Sequence, residues 1–160
     1  MEEVTIIPAQ EQHIEAAVDI AIRAWTPIRE IFRRDLGDEL YEAHFTGWQA
    51  DKRASVEKAI LAGRGFVAVV EGKVVGFVTY SLNSAIRSGT ITNNAVDPDC
   101  RGMGIGPKLY DRALTYMKEQ GMQYATVTTG LDDGHAPARR AYEKMGFQKN
   151  LPSIKYFKKL

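Results

Sequence analysis

Arg101 is followed by three alternating glycines, in the run Arg101, Gly102, Met103, Gly104, Ile105 and Gly106. Residue types in this order can cradle a phosphate. Glycine lets a ligand approach the backbone closely, consecutive N–H groups face outward, and an arginine adds a two-pronged contact to phosphate oxygens. If a strand enters the run and a helix leaves it, the positive end of the helix dipole adds to the attraction, and the site suits a pyrophosphate. A plain tight turn between strand and helix uses the same residues. Two other phosphate loops fail on counting. A P-loop needs glycine before Lys108 and Ser or Thr after it, where Pro107 and Leu109 stand. A dinucleotide fingerprint needs its third glycine at Pro107 and opens a βαβ unit early in a parallel sheet.

A second group of polar residues follows in the last quarter of the chain. Tyr142 lies within the apolar stripe Ala138, Ala141, Tyr142, Met145, so it reads either as a core tyrosine with its hydroxyl satisfied at the rim or as a functional phenol. His135 precedes this helix and reads either as a surface-loop histidine or as a hydrogen-bonding group and proton relay. Asp132 and Asp133 beside it read first as helix caps. Cys100, the single cysteine, cannot form an internal disulfide, and no histidine close in sequence supports its activation as a nucleophile. No Cys/His cluster carries the spacing of a metal site.

The elements that must position these residues follow from hydrophobic period. Val4–Ile7 predicts a short strand, and Ile14, Ala17, Val18, Ala21 and Trp25 predict a helix that Pro27 interrupts. A second helical region runs through Leu40, Tyr41, Phe45, Trp48, Val56 and Ile60, with Gly37 and Gly47 as breaks. Residues 66–70 and 74–80 predict an antiparallel hairpin turning at Glu71-Gly72-Lys73, and 90–96 a third strand that stops at Asp97-Pro98. The glycine run comes next. A helix of about four turns follows, from Pro107 to near Gly121, then a strand over 124–129 in parallel pairing. The helix carrying Tyr142 is capped by Gly146. Phe147 starts a return strand, and 154–158 alternate as a last one. The fold class is α/β, a mixed antiparallel and parallel sheet flanked by helices, in a single domain spanning residues 1–160.

The 160 residues are 44% hydrophobic and 26% charged, which fits one compact domain with its own core and excludes a disordered chain. A formal net charge of +1 lacks the field of a dedicated nucleic-acid binder. The beginning of the chain does not read as a signal peptide, and no apolar run approaches the roughly 20 residues that span a bilayer. One cysteine suits a reducing compartment, and the expected location is cytoplasmic.

Two stretches together carry a resemblance. Arg101-x-x-Gly104-x-Gly106 is similar to the Arg/Gln-x-x-Gly-x-Gly/Ala signature of the GNAT acetyltransferase superfamily, and Ala138-x-x-Ala141-Tyr142-x-x-x-Gly146-Phe147 resembles its second motif. Element order agrees over nearly the whole chain. The resemblance implies a sheet splayed open at the motif-bearing strand and acetyl-CoA as co-substrate, with no metal. It places Asn94, Ala95 and Val96 along the pantetheine arm, the loop Arg101 to Gly106 on the pyrophosphate, and His135 and Ala138 on the cofactor side. A strand N–H at Asn94 or Ala95 would polarise the thioester carbonyl. Tyr142 matches the general acid that protonates the departing thiolate, a role that suits a phenol of reference pKa about 10. The implied reaction is direct transfer of acetyl to a primary amine of a small molecule or peptide, without an acyl-enzyme.

This chain departs from the pattern at two places. His135 stands where the second motif has asparagine, and Thr90, Thr92, Asn93 and Asn94 offer no carboxylate where the family often carries a base. Those departures keep one rival in view, a non-catalytic acyl-CoA binding or sensing module, and the glycine loop itself admits another, a nucleotide- or phosphate-binding regulatory protein. Trp25, Tyr41, Phe45 and Trp48 come from the region that walls the acceptor pocket in the family, though helical spacing reads them first as core. C-terminal strands are candidates for pairing across a homodimer.

Overall fold

The structure is a computed structural model that describes residues 3–160. One sheet takes its strands in sequential order: β1 (Thr5–Pro8), β2 (Gly65–Val70), β3 (Lys73–Asn83), β4 (Ser88–Val96) and β5 (Tyr124–Val127). The first four pair antiparallel and β4–β5 is parallel. The helices are α1 (Ile14–Leu36), α2 (Asp38–Phe45), α3 (Trp48–Leu61), α4 (Ile105–Glu119) and α5 (Ala136–Lys144). α4 makes the crossover that a parallel pair requires.

Period decides which face each helix covers. The α1 stripe Ile14, Ala17, Val18 and Ala21 packs with Val56 and Ile60 of α3 onto Val67, Phe77 and Ala95. On the other face, Leu109, Ala113 and Met117 of α4 and Tyr142 of α5 cover Phe66, Val78, Tyr80 and Ile91. Successive strand residues point to opposite faces, so each inner strand serves two cores.

Pro27 does not interrupt α1, contrary to expectation: the helix runs on to Leu36, and Gly37 and Gly47, both at positive φ, mark the real breaks. An interior proline costs about 3 kcal/mol. Its position is exposed, and each large apolar side chain that α1 buries returns about 1.5–3 kcal/mol. The packing of Ile14, Val18 and Ile20 therefore outweighs one lost hydrogen bond.

β4 leads into the glycine run. Its register against β3 shifts between Val78 and Tyr80, which face Asn94 and Ile91, so Thr92 and Asn93 together oppose Thr79. This is a β-bulge, one extra residue that bends and twists its strand. The Thr79 hydroxyl holds it, accepting from the Asn93 N–H at 3.0 Å and sharing a 2.8 Å hydrogen bond with Thr92. β5 pairs with β4 only through Ser88–Ile91, before the bulge. Residues 92–96 thus have a partner on the β3 side alone, and the sheet splays open there.

Residues 147–160 form no strand, which corrects the expected return strand at Phe147 and the terminal one over 154–158. Alternating polarity specifies a strand only where an edge takes it up. Here the tail is held by its side chains instead: Phe157 meets the His44 ring edge-on at 4.9 Å and Lys159 pairs with Glu39 at 2.6 Å.

Candidate active site

The glycine run lies where a strand hands over to a helix. Asp97, just after β4, accepts from the Asp99 N–H and caps a short turn over Pro98–Cys100. Arg23 of α1 grips both Asp97 oxygens, at 2.8 and 2.9 Å. That hydrogen-bonded guanidinium holds the Asp97 carboxyl below its ordinary value and ties the base of the loop to the first helix.

The glycines of the loop are there for different reasons. Gly102 and Gly104 sit at φ +83° and +70°, conformations that L-residues resist, so the turn itself needs them. Gly106 is in the first turn of α4 without a positive φ, and a Cβ built there would meet nothing closer than 3.7 Å. The fold does not require glycine at 106, whereas a ligand lying close over the N-terminus of α4 would. Arg101, Gly102, Met103 and Gly104 are exposed. Ile105 is not: its side chain is 2% exposed and anchors α4 in the core, so only its backbone can face a ligand.

Asn94, in the unpaired stretch of β4, forms the centre of a second cluster. The Tyr110 hydroxyl donates to Asn94 Oδ1 at 2.8 Å, and Asn94 Nδ2 donates to the Tyr142 hydroxyl at 2.9 Å. The Tyr142 oxygen thus accepts a hydrogen bond and keeps its own proton to give. Burial pushes both phenols up, with the hydrogen bond from Asn94 and the contact with the Tyr110 hydroxyl pulling Tyr142 partly back. A protonated phenol next to an open strand edge is a proton donor.

The Tyr142 ring is clamped between Tyr110, centroids 5.3 Å apart, and Phe147 at 6.0 Å. Gly146, at φ +96°, turns the chain so that the Phe147 N–H returns to the Tyr142 carbonyl at 3.1 Å. The closing Gly-Phe of the second motif is therefore the device that holds the phenol in place.

Of the backbone expected along a pantetheine arm, Asn94 and Val96 point their side chains to the α4/α5 face and Ala95 to the other. N–H groups alternate along a strand, so part of this stretch offers its donors to the gap that β5 leaves. Ala138 packs at the margin of the α4/α5 core.

His135 is neither a plain surface residue nor a lone one. Its Nδ1 lies 2.6 Å from Asp132 Oδ2, both side chains being less than one-fifth exposed. Burial alone would raise the Asp132 carboxyl, but the His135 hydrogen bond and charge bring it below its ordinary value. With Nδ1–H given to Asp132, Nε2 is the nitrogen left to accept. Asp132 also caps the Asp133–His135 turn, so capping and orienting the ring are one function here. Arg139 fixes the loop by donating to the carbonyls of Gly130 and Asp132.

Sequence reading missed Tyr110, and it missed a chamber on the opposite side of the sheet. There Lys52 of α3 donates to Asn93 Oδ1 at 3.0 Å and stands 4.0 Å from the Trp25 ring. Arg29 of α1 lies 5.1–5.4 Å from the rings of Phe32, Phe45 and Trp48. The chamber, about 310 Å³, is lined by Arg29, His44, Phe45, Trp48, Asp51, Lys52 and Ser55. A signal did exist: Arg29 falls in the helical row Trp25, Ile28, Phe32, and Lys52 in the row Trp48, Val56. Trp48 and Tyr41 are buried as core, as spacing predicts, while Phe45 and Trp48 also wall this chamber.

Among the described residues, no helix is long and apolar enough to cross a membrane.

Comparison with known proteins agrees with this architecture. An uncharacterized N-acetyltransferase of Methanocaldococcus jannaschii is 36% identical over 88 residues, 52% of this chain and 38% of that protein. The mycothiol acetyltransferase of Streptomyces coelicolor is 27% identical over 95% of this chain and 44% of its own length. The chain thus spans about two-fifths of these curated relatives. Among solved structures, the PaiA N-acetyltransferase of Thermoplasma acidophilum, in complex with coenzyme A, superposes with a TM-score of 0.71 at 16% identity, over 91% of this chain and 90% of that one. A family model, described as acetyltransferase (GNAT) family, matches residues 25–147. That span takes in the splayed strand, the glycine loop and the helix of Tyr142, and the chain belongs to the GNAT acetyltransferase family.

Proposed function

We propose that this protein is an acetyl-CoA-dependent N-acetyltransferase acting on a primary amine by direct attack. The observation that carries the reading is the Tyr142 hydroxyl, buried and accepting from Asn94, beside the open stretch of β4. In this reading Gly102 to Gly106 and Arg101 take the pyrophosphate, with Gly106 leaving room for it. Backbone at Asn94, Ala95 and Val96 lines the pantetheine arm, with His135 and Ala138 on its other side. A neutral amine nitrogen bonds to the thioester carbon, and the oxyanion is met by a β4 N–H. The C–S bond then breaks, its electron pair leaving on sulfur, and Tyr142 supplies the proton of the free thiol. The amine proton is lost to a base and Tyr142 is reprotonated from water.

The Asp132–His135 pair supports a base in that role, since β4 carries no carboxylate and Nε2 is left as acceptor. A homodimer belongs to the same proposal, supported by the unpaired outer edge of β5 and by exposed Leu151, Ile154 and Tyr156 in the tail. So does a cytoplasmic setting.

Thermal unfolding with acetyl-CoA tests the donor site. At about 100 times the dissociation constant the ligand adds roughly 2.7 kcal/mol, and an unchanged transition at millimolar ligand would overturn the reading. Release of CoA thiol with an amine then separates a transferase from a binding module.

A further inference from the structure

The chamber between α1, α2 and α3 carries two cationic side chains that no carboxylate binds among the described residues. Arg29 is seated among three aromatic rings, its Nε is buried without a hydrogen-bond partner, and it forms no ion pair among the described residues. Lys52 donates only to the neutral Asn93 amide. Asp51 stands exposed at the rim, where its charge acts on Arg29 from a distance. Holding a guanidinium this way costs free energy, and burial indeed lowers the Arg29 pKa. The other arginines of α1 behave differently: Arg23, Arg33 and Arg34 each hold a carboxylate at 2.8 or 2.9 Å.

A planar guanidinium whose position is set by rings, with its donors unused, is matched by a carboxylate, which takes two parallel hydrogen bonds. The volume, about 310 Å³, is at the lower end of small-molecule sites and suits a molecule of amino-acid size. The chamber also reaches the reacting strand: Lys52 and Ser55 both bond the side chain of Asn93, the neighbour of Asn94. We propose that this chamber is the acceptor site and that it selects a small amine bearing a carboxylate, held by Arg29 with Lys52 beside it, against polycationic amines. The inference rests on the acetyltransferase reading. The same field is visible in the chamber itself, where burial and then the charge of Arg29 bring Lys52 down to about 8. A polyamine or aminoglycoside would add its charges to that field, whereas a carboxylate cancels it.

The test uses matched pairs differing only in that charge: glycine, β-alanine, 4-aminobutyrate and L-glutamate against their carboxamides, with spermidine and neamine as polycations. CoA release is read first, and quenching of tryptophan fluorescence by each compound in the presence of CoA is read alongside it. At least one carboxylate is expected to exceed its amide and both polycations by tenfold or more in kcat/KM or in affinity. That preference should collapse in Arg29→Met, which keeps the packed stem, and persist in part in Arg29→Lys, both checked for an unchanged melting transition. Amides or polycations used as well as the carboxylates, a preference that survives in Arg29→Met, or no saturable quenching by any carboxylate would each overturn the proposal. Failure of the acetyltransferase reading is separate: acetyl-CoA would then leave the melting transition unchanged, while the quenching arm still reports on Arg29.

Discussion

Asn94 points to the α4/α5 face of the sheet and is held by the hydroxyls of Tyr110 and Tyr142; Asn93, one residue earlier, points to the α1/α3 face and holds the ammonium of Lys52. Adjacent residues of one strand thus open onto two environments, one built from neutral hydrogen bonds and one from cations and aromatic rings. The bulge at Thr92 and Asn93 is what brings both to the same opening. In the neutral environment a phenol stays protonated and can give a proton. In the charged one, specificity rests on which charge the bound molecule brings. On the proposed reading, releasing a leaving group and choosing an acceptor are separated by the thickness of a strand.

Several substitutions probe this division. The largest effect is expected for Tyr142→Phe, which should lower kcat by about a hundredfold, within the range of general-acid catalysis. Acetyl-CoA affinity should change less than about twofold, because the phenol acts mainly in the transition state. An equal loss in donor affinity, measured by calorimetry, would make Tyr142 a binding residue and erase the contrast with the other face.

Thr79→Val addresses the bulge they share. It removes the acceptor of the buried Asn93 N–H, and a buried donor left unpaired costs about 1–3 kcal/mol. Urea unfolding should show a loss of this size, with slower turnover as Asn93 and Asn94 lose their register. A stability within experimental error of the parent would mean that the bulge does not depend on Thr79.

Gly106→Ala separates fold from ligand. The protein has room for the added methyl, and in a helix alanine is favoured over glycine by up to about 1 kcal/mol. Thermal stability should hold or rise slightly while the acetyl-CoA dissociation constant increases about tenfold. Unchanged affinity would show that the ligand does not pass over residue 106.

The smallest effects concern pH. Lys52 is lowered from 10.5 to about 8. The penalty for burying its charge is therefore full below about 8 and is relieved towards 10.5, where the folded state has lost a proton that the unfolded state still binds. Stability should rise with pH through the lower part of this window in the parent and not in Lys52→Met, as followed by chemical denaturation. Asp97 has the opposite limb. Its lowered pKa gives stability that is fully present above 3.8 and lost as the pH falls through the lower folded value. Arg23→Met should flatten that acid limb, and an unaltered limb would assign it to other carboxylates.

The parts of the proposed donor side were legible in the chain because they are close in sequence. Arg101 to Gly106 is one loop, and Ala138 to Phe147 is one helix with its cap, so local backbone chemistry and helical spacing reveal both. The strands and their order followed from β-branched runs and turns. The terminal strands did not, because alternation in 154–158 says nothing about whether an edge is available. Pro27 misled for a related reason, since a local penalty was weighed without the packing that exceeds it.

By itself, the sequence determined the glycine loop, the phenol in its stripe and the mixed sheet that connects them, because each is a matter of contiguous residues and their period. Only the tertiary structure decided that Asn94 bridges two tyrosines, that Asp132 orients His135, and that Arg29 and Trp48 share a chamber with Lys52, which bonds Asn93. Arg29 and Asn93 stand 64 positions apart in the chain. A charge left without a counter-ion becomes visible only when three-dimensional packing shows which neighbours it has and which it lacks.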